Sequence, residues 1–180
     1  MAAVTTLITA EQLLEMPRHP RVELVKGEII KMSPVGKTHS FITSRLWRLL
    51  DPFVVEHNLG FLGPEAGFFL TRDPDTVRAP DLAFVSAERM GNLRERGYFT
   101  VPPDLAIEVL SPGDRPGEIY IKIGEYFSAG ARLVWVLDSD AEEVVTYHPD
   151  GRSRVYSGDE AVPGEDVLPG FSFTPSQIFS

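Results

Sequence analysis

The stretch Pro102-Pro103-Asp104-Leu105-Ala106-Ile107-Glu108-Val109-Leu110-Ser111-Pro112 constrains this chain more than any other. Aliphatic and β-branched residues held between proline breakers mark a short core strand. Strand alternation puts Leu105, Ile107 and Val109 on one face, and Ala106, Glu108 and Leu110 on the other. Glu108 therefore stands among apolar neighbours, where an isolated charge is costly. Upstream, Pro80-Asp81-Leu82-Ala83-Phe84-Val85 repeats the pattern, an acid at the head of an apolar run. Neighbouring strands lie ~4.8 Å apart. If these two pair, Asp81 and Glu108 can share one divalent cation.

The length of 180 residues suits a single domain over 1–180 with a sizeable core. No apolar run approaches the ~18 residues of a membrane-spanning helix. The first residues, Met1 to Thr9, lack the basic and apolar regions of a secretion signal, so a cytoplasmic location is expected. The absence of cysteine excludes disulfides, thiolate zinc sites and cysteine nucleophiles. The histidines His19, His39, His57 and His148 show no zinc spacing, and there is no glycine-rich phosphate loop, G-x-S-x-G elbow or H-E-x-x-H helix.

A net charge of −9 runs against a nucleic-acid partner, which favours a basic footprint. The charge is unevenly spread: residues 1–57 carry seven Lys/Arg and six Asp/Glu, residues 58–180 ten and twenty. Lys37, Arg45, Arg48, Arg72 and Arg78 remain candidates for a basic approach to the site, or for an ordinary solvated surface.

Along the chain, Thr9 and Gln12 form a capping box for a short helix stopped by Pro17. Arg21–Val25 and Glu28–Met32 alternate around Lys26-Gly27 as a hairpin, with the face of Glu23 ambiguous. Phe41, Leu46, Leu49, Leu50 and Phe53 recur at helical spacing, which predicts an amphipathic helix over about 38–58, kinked at Pro52. A strand over 66–71 and a polar loop over 72–79 precede the Asp81 strand, and a short helix with a flexible loop is expected over 86–101. A helix opening at Asp114-Arg115-Pro116 runs to Ala129 and ends at Gly130, followed by a strand over 131–137. A hairpin turns at Asp150-Gly151, and Thr174-Pro175 opens a last helical turn. The order predicts an α/β (α+β) fold with a mixed central sheet, helices around it and additional hairpins.

Mg²⁺ takes carboxylate oxygens and keeps several waters, and Asp81 and Glu108 offer two such ligands from rigid strands. On the helix over 116–129 the apolar face is Ile119, Ile123, Tyr126 and Phe127. Lys122 lies at its edge and can reach the carboxylates, while Glu118 and Glu125 point further out. Each residue also has a plainer reading. Asp81 can be a turn or cap residue, Glu108 a structural partner of Arg132, and Lys122 a snorkelling surface lysine. His39 reads as a surface or capping histidine, and Glu65 as a turn carboxylate. A buried carboxylate pair with neither metal nor partner is nevertheless hard to justify energetically.

In order and spacing, Pro80-Asp81, Ile107-Glu108-Val109-Leu110-Ser111-Pro112, Lys122 to Gly130 and Leu133-Val134-Trp135-Val136-Leu137-Asp138 resemble the Uma2 family of restriction-endonuclease-like proteins, within the PD-(D/E)XK nuclease superfamily. Arg21 to Ile29, Met32-Ser33-Pro34, His39 and Val167-Leu168-Pro169-Gly170-Phe171 extend the resemblance over nearly the whole chain. The resemblance implies a restriction-endonuclease-like fold and a metal-dependent nuclease acting on DNA. Asp81 and Glu108 would bind Mg²⁺ or Mn²⁺, and Asp81, Glu108 and Lys122 would be catalytic. The superfamily's acid-x-lysine motif is broken here, because Leu110 stands two positions after Glu108. Lys122, from the following helix, would replace that lysine in space. Glu23, His39 and Glu65 are outer candidates. A homodimer would give one site to each strand of a duplex, and a non-catalytic binding module that keeps the fold is the rival reading.

Overall fold

The computed structural model describes residues 7–16, 21–111 and 113–180. The expected stop at Pro17 and the proline at 112 lie outside these residues, as does His19. A six-stranded mixed sheet forms the centre, in the order β10-β9-β8-β7-β6-β3. Its strands are β3 (Gly60–Pro64), β6 (Leu82–Ser86), β7 (Leu105–Val109), β8 (Leu133–Asp138), β9 (Glu143–Tyr147) and β10 (Ser153–Ser157). β7 and β8 pair in parallel and every other neighbour pair in this sheet is antiparallel.

The parallel pair needs a crossover, which α3 (Pro116–Ala129) supplies. Pro116 pre-sets the first turn, and Gly130 ends the helix at φ 106°, a left-handed position that glycine occupies without a Cβ penalty. Alternation along β7 divides the core as expected. Leu105, Ile107 and Val109 pack with Ile42, Leu46 and Leu50 of α2 (Lys37–Glu56). Ala106 packs on the other face with Ile123 and Tyr126 of α3. The central sheet thus lies between the two long helices. α2 continues through Pro52.

A second sheet, of order β2-β1-β5-β4, contains β1 (Val22–Val25), β2 (Glu28–Lys31), β4 (Phe68–Thr71) and β5 (Thr76–Arg78). Its β1–β2 hairpin turns through Lys26 at φ 50° and Gly27 at φ 78°, the two positive values of a type I′ turn. The helix α1 (Ala10–Glu15) carries the expected Thr9–Gln12 capping box and packs Ala10 and Leu13 against Leu24 and Val77. At the end of the chain, β11 (Val162–Pro163) and β12 (Ser172–Phe173) pair, and α4 (Pro175–Phe179) has a Thr174–Gln177 capping box.

Two expectations are corrected. Residues 76–78 form a strand, not part of a polar loop: Thr76 accepts a hydrogen bond from the Lys26 N–H, and Arg78 is buried between two glutamates. Polar residues buried by pairing leave no apolar pattern to read. Residues 60–64, for which the sequence carries no strand signal, also form an edge strand; an edge tolerates proline. A Cβ at Gly60 would lie 2.1 Å from the Val85 carbonyl oxygen, so close pairing with β6 requires glycine there. Residues 86–101 contain turns but no helix.

Candidate active site

β6 and β7 run antiparallel with Leu82 opposite Ile107 and Ala83 opposite Ala106. Continued by one position, that register sets Asp81 opposite Glu108. Directly opposed residues of an antiparallel pair project to the same face. Both are buried, at 6 % and 5 % exposure. Asp81 stands just before β6, and its Oδ2 accepts a 2.8 Å hydrogen bond from the Val109 N–H. The acid at the head of one strand is thereby tied to the backbone of the next.

Each carboxylate is surrounded by cations or donors. Asp81 Oδ1 accepts from Arg21 Nη2 at 3.0 Å, and Oδ2 lies 3.0 Å from His39 Nε2. Burial, the largest influence, pushes Asp81 up, but His39, the Val109 N–H and Arg21 outweigh it and hold the carboxyl below its ordinary value. Glu108 accepts from Lys122 Nζ at 3.1 and 3.3 Å and from the Tyr126 hydroxyl at 2.7 Å. Burial lifts its pKa above the ordinary carboxylate value; Lys122 and Tyr126 pull the other way, while the charges of Asp81 and Glu23 add to the rise.

Lys122 also reaches Glu23, with Nζ 3.4 Å from Oε1. Burial acts to lower the Lys122 pKa and is the largest influence. Glu108 and Glu23 outweigh it, so the ammonium is held more firmly than in an ordinary lysine. Glu23 lies on β1 at 2 % exposure, where it accepts from Arg78 at 2.7 Å and from the Ala79 N–H at 3.1 Å. Arg78 is shared with Glu125 at 2.6 Å. Lys122, Glu125 and Tyr126 occupy one face of α3, as positions three and four apart must. α3 therefore bolts the second sheet to the central one through polar contacts.

The ambiguous Glu23 thus lies inside the cluster. His39, read as a surface or capping residue, is buried against Asp81. Glu65 is exposed in a left-handed backbone position (φ 50°) and joins only at the margin, 3.3 Å from Arg21. Glu125 turns inward to Arg78 instead of outward. Glu108 does not pair with Arg132, which binds Asp166 at 2.7 Å and lies 3.6 Å from Asp104. Arg21 and the hydroxyl of Tyr126 went unnoticed in the sequence, the first because nothing distinguishes it from a hairpin-end cation, the second because Tyr126 fits the apolar stripe. Of the five basic residues considered, Arg78 is buried in the cluster, and Arg72 lies on the surface near Glu11.

Both buried carboxylates have internal partners, so their burial does not by itself call for a metal. The donor chemistry remains suited to a hard cation: Mg²⁺ uses one or two carboxylates and completes its shell with water and substrate oxygens. Among the described residues no group of three or more His, Asp or Glu is assembled to hold a metal, so the protein's share would be two ligands. Also among the described residues, no helix is long and apolar enough to cross a membrane.

A family model, Uma2, described as "Putative restriction endonuclease", matches residues 10–176. A crystal structure from Anabaena variabilis, described as "a putative nuclease belonging to DUF820", superposes with a TM-score of 0.83 at 22 % identity, over 96 % of this chain and 97 % of that one. At that identity the likeness shows a shared fold. No curated protein matches the sequence.

Proposed function

This chain belongs to the Uma2 family, and from that membership and the Glu108–Lys122–Glu23 bridge we propose that it is a divalent-metal-dependent endonuclease hydrolysing phosphodiester bonds in DNA. Residues 1–180 act as one catalytic unit, and a dimer with one site per strand is the assembly this activity favours. Asp81 and Glu108 are the residues that would hold Mg²⁺ or Mn²⁺. Such a cation supplies Lewis-acid polarisation of the scissile phosphate.

The observation that carries the reading is the position of Lys122, whose ammonium lies 3.1 Å from a carboxylate that faces Asp81 across two strands. Its raised pKa keeps it charged at neutral pH, so it serves as a donor that orients the attacking water and offsets phosphoryl charge, not as a general base. Glu23 and Tyr126 fix the geometry, Glu23 by holding Lys122 and Tyr126 by holding Glu108. Arg21, His39 and the Val109 N–H keep Asp81 ionised and aimed.

The rival, a nucleic-acid or protein binding module without catalysis, is favoured by one observation: internal cations already compensate both carboxylates. Nicking of supercoiled plasmid in Mg²⁺ or Mn²⁺ separates the two. The enzyme reading expects wild-type cleavage that Asp81→Ala abolishes. No wild-type cleavage of DNA or RNA with either metal selects the binding module.

A further inference from the structure

The solvent face of the first three turns of α2 is a shallow groove lined by Lys37, Ser40, Phe41, Ser44, Arg45 and Arg48. These positions follow the spacing of a single helical stripe. They carry three cations and no acid. Solvated helix faces usually interleave both signs, and this chain has a net charge of −9. No acidic residue occurs between Glu28 and Asp51, while Lys31, Lys37, Arg45 and Arg48 fall in that interval. Among the described residues no carboxylate side chain pairs with Lys37, Arg45 or Arg48. Arg45 instead donates to the Ser180 and Gln177 carbonyls and lies over the Phe41 ring, 4.6 Å from its centroid. Phe41 is itself 50 % exposed, an unusual place for a large aromatic ring. On the inner side of the same helix, His39 contacts Asp81.

We infer that this groove is the docking strip for the phosphodiester backbone of the nucleic acid that enters the candidate active site. The inference rests on the nuclease reading above and adds to it the surface that holds the substrate. Lys37 and Arg48, at opposite ends of the strip, pair with separate phosphates, Ser40 and Ser44 donate hydroxyl hydrogens to those between, and Phe41 offers a ring on which a base stacks. The strip and His39 lie on opposite sides of α2, and it is the N-terminal end of the strip, at Lys37, that comes within two residues of the His39–Asp81 contact.

The test is binding of a short fluorescein-labelled DNA by the intact chain in EDTA, followed by fluorescence anisotropy across a salt series. Five proteins are compared: wild type, Lys37→Ala/Arg48→Ala, Lys37→Arg/Arg48→Lys, Phe41→Ala, and the charge-matched control Arg152→Ala/Arg154→Ala on the β9–β10 hairpin. Each lost phosphate contact removes about 0.9 from the slope of log affinity against log salt for duplex DNA. The groove double variant should therefore lose a slope of about two and bind roughly tenfold or more weakly, and the control should match wild type. Phe41→Ala should weaken single-stranded binding about fivefold or more without changing the slope. Lys37→Arg/Arg48→Lys should restore the wild-type slope, which a merely folding-related loss would not allow. Equal slopes in wild type and the groove variant overturn the inference, as does a wild type that binds no DNA. Plasmid nicking is run alongside. A wild type that cleaves, with kcat/KM unchanged in the groove variant, overturns the groove and leaves the nuclease reading standing. Groove-dependent binding by a wild type that never cleaves supports the groove and overturns the nuclease reading.

Discussion

Lys122 and Glu108 form a buried ion pair with the ammonium 3.1 Å from the carboxylate, and the same ammonium reaches across to Glu23 of the second sheet. One side chain from α3 thus neutralises two buried acids on two sheets. That arrangement makes Lys122 part of the architecture as well as of the proposed chemistry, and it changes what its removal should do.

Lys122→Ala should cost about 3–5 kcal/mol of stability, since it leaves Glu108 and Glu23 with less compensation in a largely buried place. A snorkelling surface lysine would cost only a few tenths of a kcal/mol. Urea denaturation followed by circular dichroism distinguishes the two. A loss below about 0.5 kcal/mol would contradict the buried bridge.

Tyr126→Phe removes only the hydroxyl that Glu108 accepts at 2.7 Å. A hydrogen bond to a charged group is worth about 1.5–3 kcal/mol, and that is the loss expected in the same assay. The ring stays in place, so the slope of the denaturation curve should not change.

Arg78 is shared by Glu23 and Glu125, which makes the three non-additive. Arg78→Met should destabilise by about 3–5 kcal/mol because two buried or half-buried acids lose their partner. With Glu125→Gln added, the combined loss should fall short of the sum by about 0.5–3 kcal/mol, as a double-mutant cycle would measure. Strict additivity would place Arg78 and Glu125 in independent environments.

Mg²⁺ or Mn²⁺ should raise the melting temperature of the wild type. At a concentration of about 100 Kd the gain is about 2.7 kcal/mol, or about 5–10 °C for a chain of this size. Asp81→Asn keeps the side-chain shape but removes a ligand charge, and it should abolish the shift. A shift that persists in the variant places the cation elsewhere.

The backbone plan was legible where local chemistry agrees with the fold. Thr9 and Gln12, Lys26-Gly27, Pro116 with Gly130, and Asp150-Gly151 each carry a cap or turn that a single residue type demands, and the alternation of Leu105, Ile107 and Val109 marks a two-faced core strand. The pairing of Asp81 with the β7 backbone follows from the register of those strands. Illegible were elements whose polar residues are buried by long-range partners. β5 hides because Arg78 needs Glu23, which precedes it by 55 positions, and Glu125, which follows it by 47. Glu23 and His39 were ambiguous for the same reason: one sequence shows where a charge is, but not which distant charge folding brings to it. Helix spacing placed Lys122 beside Tyr126, but Glu125 was expected to point outward, because nothing local shows that this side of α3 meets a second sheet that carries Arg78.

The most direct test of the proposed chemistry is the rate of supercoiled plasmid nicking by Lys122→Ala in Mg²⁺ or Mn²⁺, measured at a temperature where denaturation curves show the variant folded. Loss of one preorganised donor at a developing charge typically costs about 10²–10³ in rate. The account predicts at least that loss, together with a metal-induced rise in melting temperature that persists because Asp81 and Glu108 are intact. Wild-type rates in the folded variant would contradict it.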